Sequence, residues 1–331
     1  MALPRALREK LQPKRVVHLA VSLGLIWWIA GKVDWADFGT TLRRTDPGYL
    51  ALSLAMSPVL IVISARKWQL LLNARSAGAG LGACVNLYVI GYLFNNVLPT
   101  NAGGDLVRGY LMGRRTGDAS TAFAAVVLER LTGFAALVVI AVAALPFAPA
   151  GTWHFWVYGF VAGVSAAFCM GVWALLDGRA ARWLRRFDGH PAVRKAMRLH
   201  DALEAYRGHP RILARCIALS FLFYVGAALN IHFSARAFGS DVAFAETFLA
   251  TPVILLVTML PISFGGIGLS EWAHMYALGR FGAPAAIGLS TALLLRTKGV
   301  LLGLVGSVIY PLVGTGPIRS AAEAARGGLE A

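Results

Sequence analysis

LPTNAGGDLVR, residues 98–108, decides how this chain is read. It follows LYVIGYLFNNV (87–97), whose apolar and aromatic residues suit a membrane helix. Pro99, Asn101, Gly103, Gly104 and Asp105 then interrupt that run. Hydrocarbon does not tolerate broken backbone unless protein or trapped water satisfies the freed polar groups. The break therefore lies inside the protein or lines a cavity.

The remaining sequence supports a membrane setting. Of the 331 residues 57% are apolar and only 14% charged, with mean hydropathy +0.64. A soluble domain carries about a quarter charged residues. Apolar runs near 16–33, 49–65, 119–146, 154–177, 212–236 and 284–313 are predicted to span. Two shorter runs, 84–98 and 247–260, each meet a Pro/Gly break and then an amphipathic stretch, 105–115 and 268–280. These read as re-entrant hairpins. The expectation is an all-α polytopic membrane protein with about six spanning helices and two re-entrant hairpins; eight full spans is the alternative. Net charge +15 does not require nucleic acid, because basic residues gather in short cytoplasmic loops. Cys84, Cys169 and Cys216 form no CxxC pair, so no disulfide framework, metal site or cofactor is expected.

Under the hairpin reading, 23 of the 31 Lys and Arg fall on one side, five on the other and three within the membrane. That bias predicts a multi-pass protein of the bacterial inner membrane with both termini cytoplasmic. Segment 178–210 is the main cytoplasmic feature and precedes the run near 212–236; residues 316–331 form a tail. Trp183, Leu184, Met197, Leu199 and Leu203 give 178–210 an apolar side, so it is expected to lie on the anionic leaflet.

A second break, LPISFGGIGLSEW (260–272), matches LPTNAGGDLVRGY (98–110) in Leu-Pro, three residues, Gly-Gly. ISARKW (63–68) matches FSARAF (233–238), and VLERLTG (127–133) matches LLLRTKG (293–299), in the same order. The predicted topology makes the halves, 1–147 and 148–315 within one membrane domain, run in opposite directions. Inverted repeats with broken helices are a recurring plan of transporters, with the substrate held where the breaks meet.

Glu129, Arg130, Arg296 and Lys298 fall near the middle of long apolar runs, and Asp105 and Glu271 follow the breaks. Charges at that depth are costly, usually paired and usually functional. Adjacent residues on a helix point about 100° apart, so Glu129 and Arg130 each need a partner elsewhere. One reading is an ion-pair network that fixes packing. The other is an anion site, in which amides after Gly-Gly and the Arg130 and Arg296 guanidinium groups meet a phosphate in one central cavity. Asn95, Asn96, Thr100, Asn101 and Ser263 would add neutral hydrogen bonds.

GYLFNNVLPTNAGGDLVRGYLM, ERLTGF and LPISFGGIGLSEW together resemble the flippase-like transmembrane region of lysylphosphatidylglycerol synthases, a family also found free-standing in bacteria and archaea. The resemblance covers about residues 15–315 and rests on Asn96, Pro99, Gly103, Gly104, Asp105, Arg108, Arg130, Pro261, Gly265, Gly266, Gly268 and Glu271. It implies the lipid-translocating part without a soluble aminoacyl-transferase domain. The expected cargo is an anionic phospholipid or a polyprenyl-phosphate-linked lipid, with envelope-biosynthesis enzymes as candidate partners. A lipid head-group transferase using Asp105 or Glu271 as base, and a non-transporting accessory protein, are the alternatives. No GxxxxGK[ST] loop occurs, so an ion gradient, the lipid gradient or a partner would supply any drive.

Overall fold

A computed structural model describes residues 13–75, 77–97, 103–176 and 200–314. Pro99, Thr100, Asn101, most of segment 178–210 and the tail 316–331 lie outside the described residues. Eleven α-helices follow in order among those described: α1 Pro13–Lys32, α2 Trp35–Arg43, α3 Pro47–Ala74, α4 Leu81–Val97, α5 Gly103–Thr116, α6 Ala119–Ala144, α7 Phe155–Leu176, α8 Pro210–Ala237, α9 Phe244–Thr258, α10 Leu269–Gly279 and α11 Ala285–Gly314. Five of them, α3, α6, α7, α8 and α11, are long and apolar enough to cross a membrane.

Local chemistry sets the helix starts. Pro47 and Pro210 occupy first-turn positions, where the missing N–H costs nothing. Asp34, Asp46 and Asp118 are N-caps whose carboxylates accept from backbone N–H groups one turn on. Hydrogen bonds from Thr121 and Ser120 hold the Asp118 carboxyl down at about 2.

The two breaks produce two antiparallel helix pairs. Arg108 of α5 lies beside Tyr88 of α4, and Gly104 beside Gly91, so the chain doubles back. At 1.5 Å per residue α5, with 14 residues, is about 21 Å long, short of the roughly 30 Å hydrocarbon layer. The α10 helix, with 11 residues, is shorter still. Gly91 and Gly104 make the first pair possible: a Cβ on Gly104 would overlap the Gly91 carbonyl oxygen.

The halves share one plan. In α3–α6, a long helix, two short ones and a long one pack in sequence, and the first also packs on the last. The same four packing relations recur in α8–α11. The first helices of the two sets, α3 and α8, both 28 residues, lie along each other. Helices α1, α2 and α7 sit outside this set of eight.

Two expectations need correction. The second span runs to Ala74 rather than ending near 65, because Ala65, Trp68, Leu71 and Leu72 continue an apolar face packed against the protein. Lys67, counted with a cytoplasmic loop, is thereby buried. Leu203 does not face lipid: with Ala202 and Tyr206 it packs into the cluster around Trp68, and the Tyr206 hydroxyl donates to the Leu71 carbonyl at 3.0 Å.

The doubled-back geometry has a direct readout. Single cysteines replacing Arg75 and Arg115, on either side of the first pair, should be labelled from the same face of the membrane. Those replacing Ala150, Asp241 and Pro284 should be labelled from the opposite face. Arg115→Cys labelled opposite to Arg75→Cys would make α4 and α5 full spans. A second outcome concerns the α6 cap. Asp118→Ala should cost about 1 kcal/mol in thermal unfolding at neutral pH. A depressed carboxyl stabilises above its unfolded value, so wild type should lose that advantage as pH falls from 3.8 towards about 2.

Candidate functional site

Three elements bring five ionisable side chains together: Lys67 from α3, Asp105 and Arg108 from α5, and Glu129 and Arg130 from α6. Glu129 meets Arg108, whose Nη2 donates to Oε2 at 2.5 Å, and Lys67 at 3.7 Å. Arg130 grips Asp105 with two prongs, Nε to Oδ2 at 2.7 Å and Nη2 to Oδ1 at 2.9 Å. Asp105 also accepts from Arg108 Nε at 3.1 Å. Adjacent Glu129 and Arg130 thus take separate partners on α5, as their divergence on the helix requires.

Arg108 is 1% exposed and lies between aromatic faces, 4.3 Å from the Tyr88 ring centroid and 4.9 Å from that of Trp68. Such stacking holds a guanidinium without a carboxylate on every edge. Its Nη1 is buried and has no hydrogen-bond partner. All five side chains line a cavity of about 300 Å³ between α3, α4, α5, α6 and α8, with Thr258 and Met259 of the second break closing one wall. Three cations against two carboxylates leave one surplus positive charge. The Arg130 side chain is 52% accessible, so a doubly bonded guanidinium still presents an open face.

The second break carries a reduced version. Arg296 donates from Nε to Glu271 Oε1 at 2.8 Å, and Glu271 Oε2 accepts from the Gly268 amide at 2.7 Å. Arg130 and Asp105 are 25 residues apart, and so are Arg296 and Glu271. Both acids are the third residue of a short helix that follows a break. The same offset puts His274 where Arg108 stands and Leu295 where Glu129 stands. One balanced ion pair remains of a charged cluster. It borders a separate cavity of about 350 Å³, otherwise apolar, with Ile26, Ile29, Trp35 and Phe38 on its far side.

Several predicted site residues are placed differently from expectation. Arg130 and Arg296 do not share a central cavity; each faces its own, because each is drawn to the acid of its own short helix. Two glycine amides at the breaks, those of Gly104 and Gly268, are not free to hold a phosphate. Gly104 N–H donates to Asn95 Oδ1 at 2.7 Å, and Gly268 N–H goes to Glu271. An unpaired amide at that depth costs free energy, and these side chains remove the cost. Asn96 points away from the charged cavity and donates to the Gly299 carbonyl at 3.1 Å, tying α4 to α11. Ser263 is buried with its hydroxyl unpartnered, outside both cavities, and Pro261 is exposed. Lys298 lies in neither cavity and bonds to Ser53, Asn230 and Ser234. Gly103 is buried at the α5 start. Gly265, Gly266 and Gly268 hold φ of 58°, 73° and 80°, a left-handed run that allows the second break to turn tightly.

The sequence reading missed Lys67, Tyr88 and Trp68. Lys67 was legible in principle, since it shares a helix face with Ser64 and Leu71 three and four residues away.

With this geometry in place, comparison with known proteins assigns the chain. The family model described as the lysylphosphatidylglycerol synthase TM region matches residues 15–306. The chain belongs to this family. Relatives include two UPF0104 membrane proteins of Methanothermobacter thermautotrophicus. One is 23% identical, covering 76% of this chain and 80% of its own length; the other is 22% identical, covering 88% and 91%. A UPF0104 membrane protein of Pyrococcus horikoshii is 22% identical, covering 85% and 90%. No solved structure matches. Within the family region, the charged cavity and the reduced second cluster both fall inside the matched residues.

The geometry separates packing from binding within the cluster. Glu129→Gln removes the one carboxylate beside Lys67 and a main partner of Arg108, so it should destabilise by roughly 3–5 kcal/mol in detergent melts. Arg130→Ala leaves Asp105 paired with Arg108 and should cost under about 1 kcal/mol. Equal losses in the two variants would show that Arg130 is as structural as Glu129.

Proposed function

We propose that this multi-pass membrane protein moves an anionic, phosphate-bearing lipid between leaflets as a flippase or scramblase, without changing it chemically. The observation that carries this is the surplus positive charge in the first cavity, presented through the accessible face of Arg130. Planar guanidinium groups match the oxygen geometry of phosphate better than an ammonium does. The cavity of about 300 Å³ suits a head group rather than a whole lipid, and Leu60, Phe134, Phe223, Leu255 and Met259 supply apolar wall. Hydrocarbon chains would remain outside in the bilayer.

Both cavity carboxylates are engaged by guanidinium groups, which supports binding over a role as a free base in head-group transfer. The charge bias of the loops supports an inner-membrane orientation with cytoplasmic termini, so the first cavity would be served from the cytoplasmic leaflet. Envelope-biosynthesis enzymes are the partners such a step would adjoin.

Purified protein in liposomes, with fluorescent head-group or chain labels and a membrane-impermeant quencher, tests the reading. Labelled phosphatidylglycerol should cross faster than labelled phosphatidylcholine. Arg130→Ala should slow it roughly tenfold, and Arg130→Lys should restore it poorly because one ammonium lacks the two-pronged contact. Crossing no faster than in empty liposomes would sink the proposal. A mass change in the head group would establish the transferase instead.

A further inference from the structure

Four basic side chains at membrane depth touch a carboxylate: Lys67 and Arg108 touch Glu129, Arg130 touches Asp105 and Arg296 touches Glu271. Lys298 differs. Its ammonium is 4% exposed and lies within 3.4 Å of four oxygens, none from a carboxylate among the described residues. These are Asn230 Oδ1 at 2.6 Å, Ser53 Oγ at 2.7 Å, the Ser53 carbonyl at 3.2 Å and Ser234 Oγ at 3.4 Å. They come from α3 and α8, the pair that lies along the middle of the two repeats.

A neutral cage has a chemical property that a carboxylate lacks. Around an ammonium, all four oxygens accept. Around a neutral amine, a hydroxyl can reverse and donate to the nitrogen lone pair, since Ser is both donor and acceptor. Ser53 and Ser234 share a hydrogen bond at 2.7 Å; Ser234 donates to the Asn230 carbonyl at 2.6 Å, so Ser53 is the donor of the pair and its hydroxyl can turn to the amine instead. The cage therefore satisfies either protonation state, whereas Glu129 or Asp105 holds its partner charged. Arginine does not lose its proton in proteins, but lysine does.

Among the described residues no other charge is in contact with the Lys298 ammonium. Arg296, two residues before Lys298, is turned to Glu271, and His232 beside Asn230 is turned to Thr247. On α3 and α8, Tyr49 and Arg236 stack on each other at 5.4 Å. Asn96 of α4 meets the Gly299 carbonyl with a neutral amide, and His274 of α10 is bonded to the Ser270 carbonyl. The repeat sharpens the point. Lys298 stands where the first half has Thr132, and Ser234 where it has Ser64, which lines the charged cavity. The second half has placed a cation where the first half has a threonine whose hydroxyl is bonded to the Leu128 carbonyl of its own helix.

We propose that Lys298 is a proton-binding site, loaded and unloaded during the cycle, which couples lipid movement to a proton gradient. This rests on the lipid-moving reading above. The proton passes between Nζ and water, with half-buried Asn230 at the outer edge of the cage.

Lipid movement in liposomes, measured over a range of symmetric pH and under imposed pH steps, tests it. Wild type should change rate severalfold across the range. Asn230→Asp puts a carboxylate against Nζ, keeps the proton on and preserves packing; its rate should be fixed at the wild-type low-pH value. Lys298→Met, permanently neutral, should be fixed at the high-pH value. Retained pH dependence in Asn230→Asp, whose folding is checked by its melting temperature, overturns the proposal. So does a wild-type rate that is flat in pH, which would leave lipid movement itself standing. A protein that moves no lipid at any pH overturns both readings.

Discussion

The Glu129 carboxylate is the constraint around which the first half is built. It is 5% exposed in the middle of a spanning helix, where an unpaired charge would cost several kcal/mol. Arg108 and Lys67 compensate it, and they come from α5 and α3. One side chain thereby fixes two other helices against α6. Arg108 in turn needs room and apolar cover, which Tyr88 and Trp68 supply. For Arg108 to reach Glu129, α5 must run back along α4, and Gly91 and Gly104 permit that approach. The broken segment after residue 97 is thus a consequence of placing a charge pair at depth.

Compensation at Glu129 also frees Arg130. Because Glu129 is satisfied by Arg108 and Lys67, Arg130 is left to Asp105 on the rim, where half of its surface stays accessible. A cluster with equal numbers of acids and bases would close on itself, as Glu271 and Arg296 do. The extra lysine prevents that closure.

The parts legible in the sequence follow from this physics. Apolar length marked the long helices, and Pro/Gly breaks marked where the short helices α5 and α10 follow. Charges in apolar runs marked Glu129, Arg130, Arg296 and Lys298, because charge at depth needs a reason. The parts that were not legible depend on distance. Whether Arg130 and Arg296 share a cavity depends on which acid lies nearer, and the matching spacing of 25 residues draws each to its own hairpin. The fate of the glycine amides depended on Asn95 and Glu271, whose side chains had several plausible targets. Lys67 was misassigned because the end of a membrane helix and the start of a basic loop look alike when the helix continues on an interior face. Gly104 was singled out for backbone exposure to a ligand; its amide is taken by Asn95 and its missing Cβ lets α5 approach Gly91.

Divergence between the repeats carries the last step. Two identical halves would give two identical cavities, and a cargo would meet the same affinity in each. A ligand shifts an equilibrium only by its difference in affinity for the states. Replacing Arg108 and Glu129 by His274 and Leu295 leaves the second cavity with one neutralised pair and apolar walls. On the proposed reading, an anionic head group is held by the first cavity and released by the second. The second half carries a further cation, Lys298, outside that cavity and bound to neutral oxygens. On the proposed reading, the charge that binds cargo and the charge that carries a proton sit at different positions of the repeat, since Lys298 stands where the first half has Thr132.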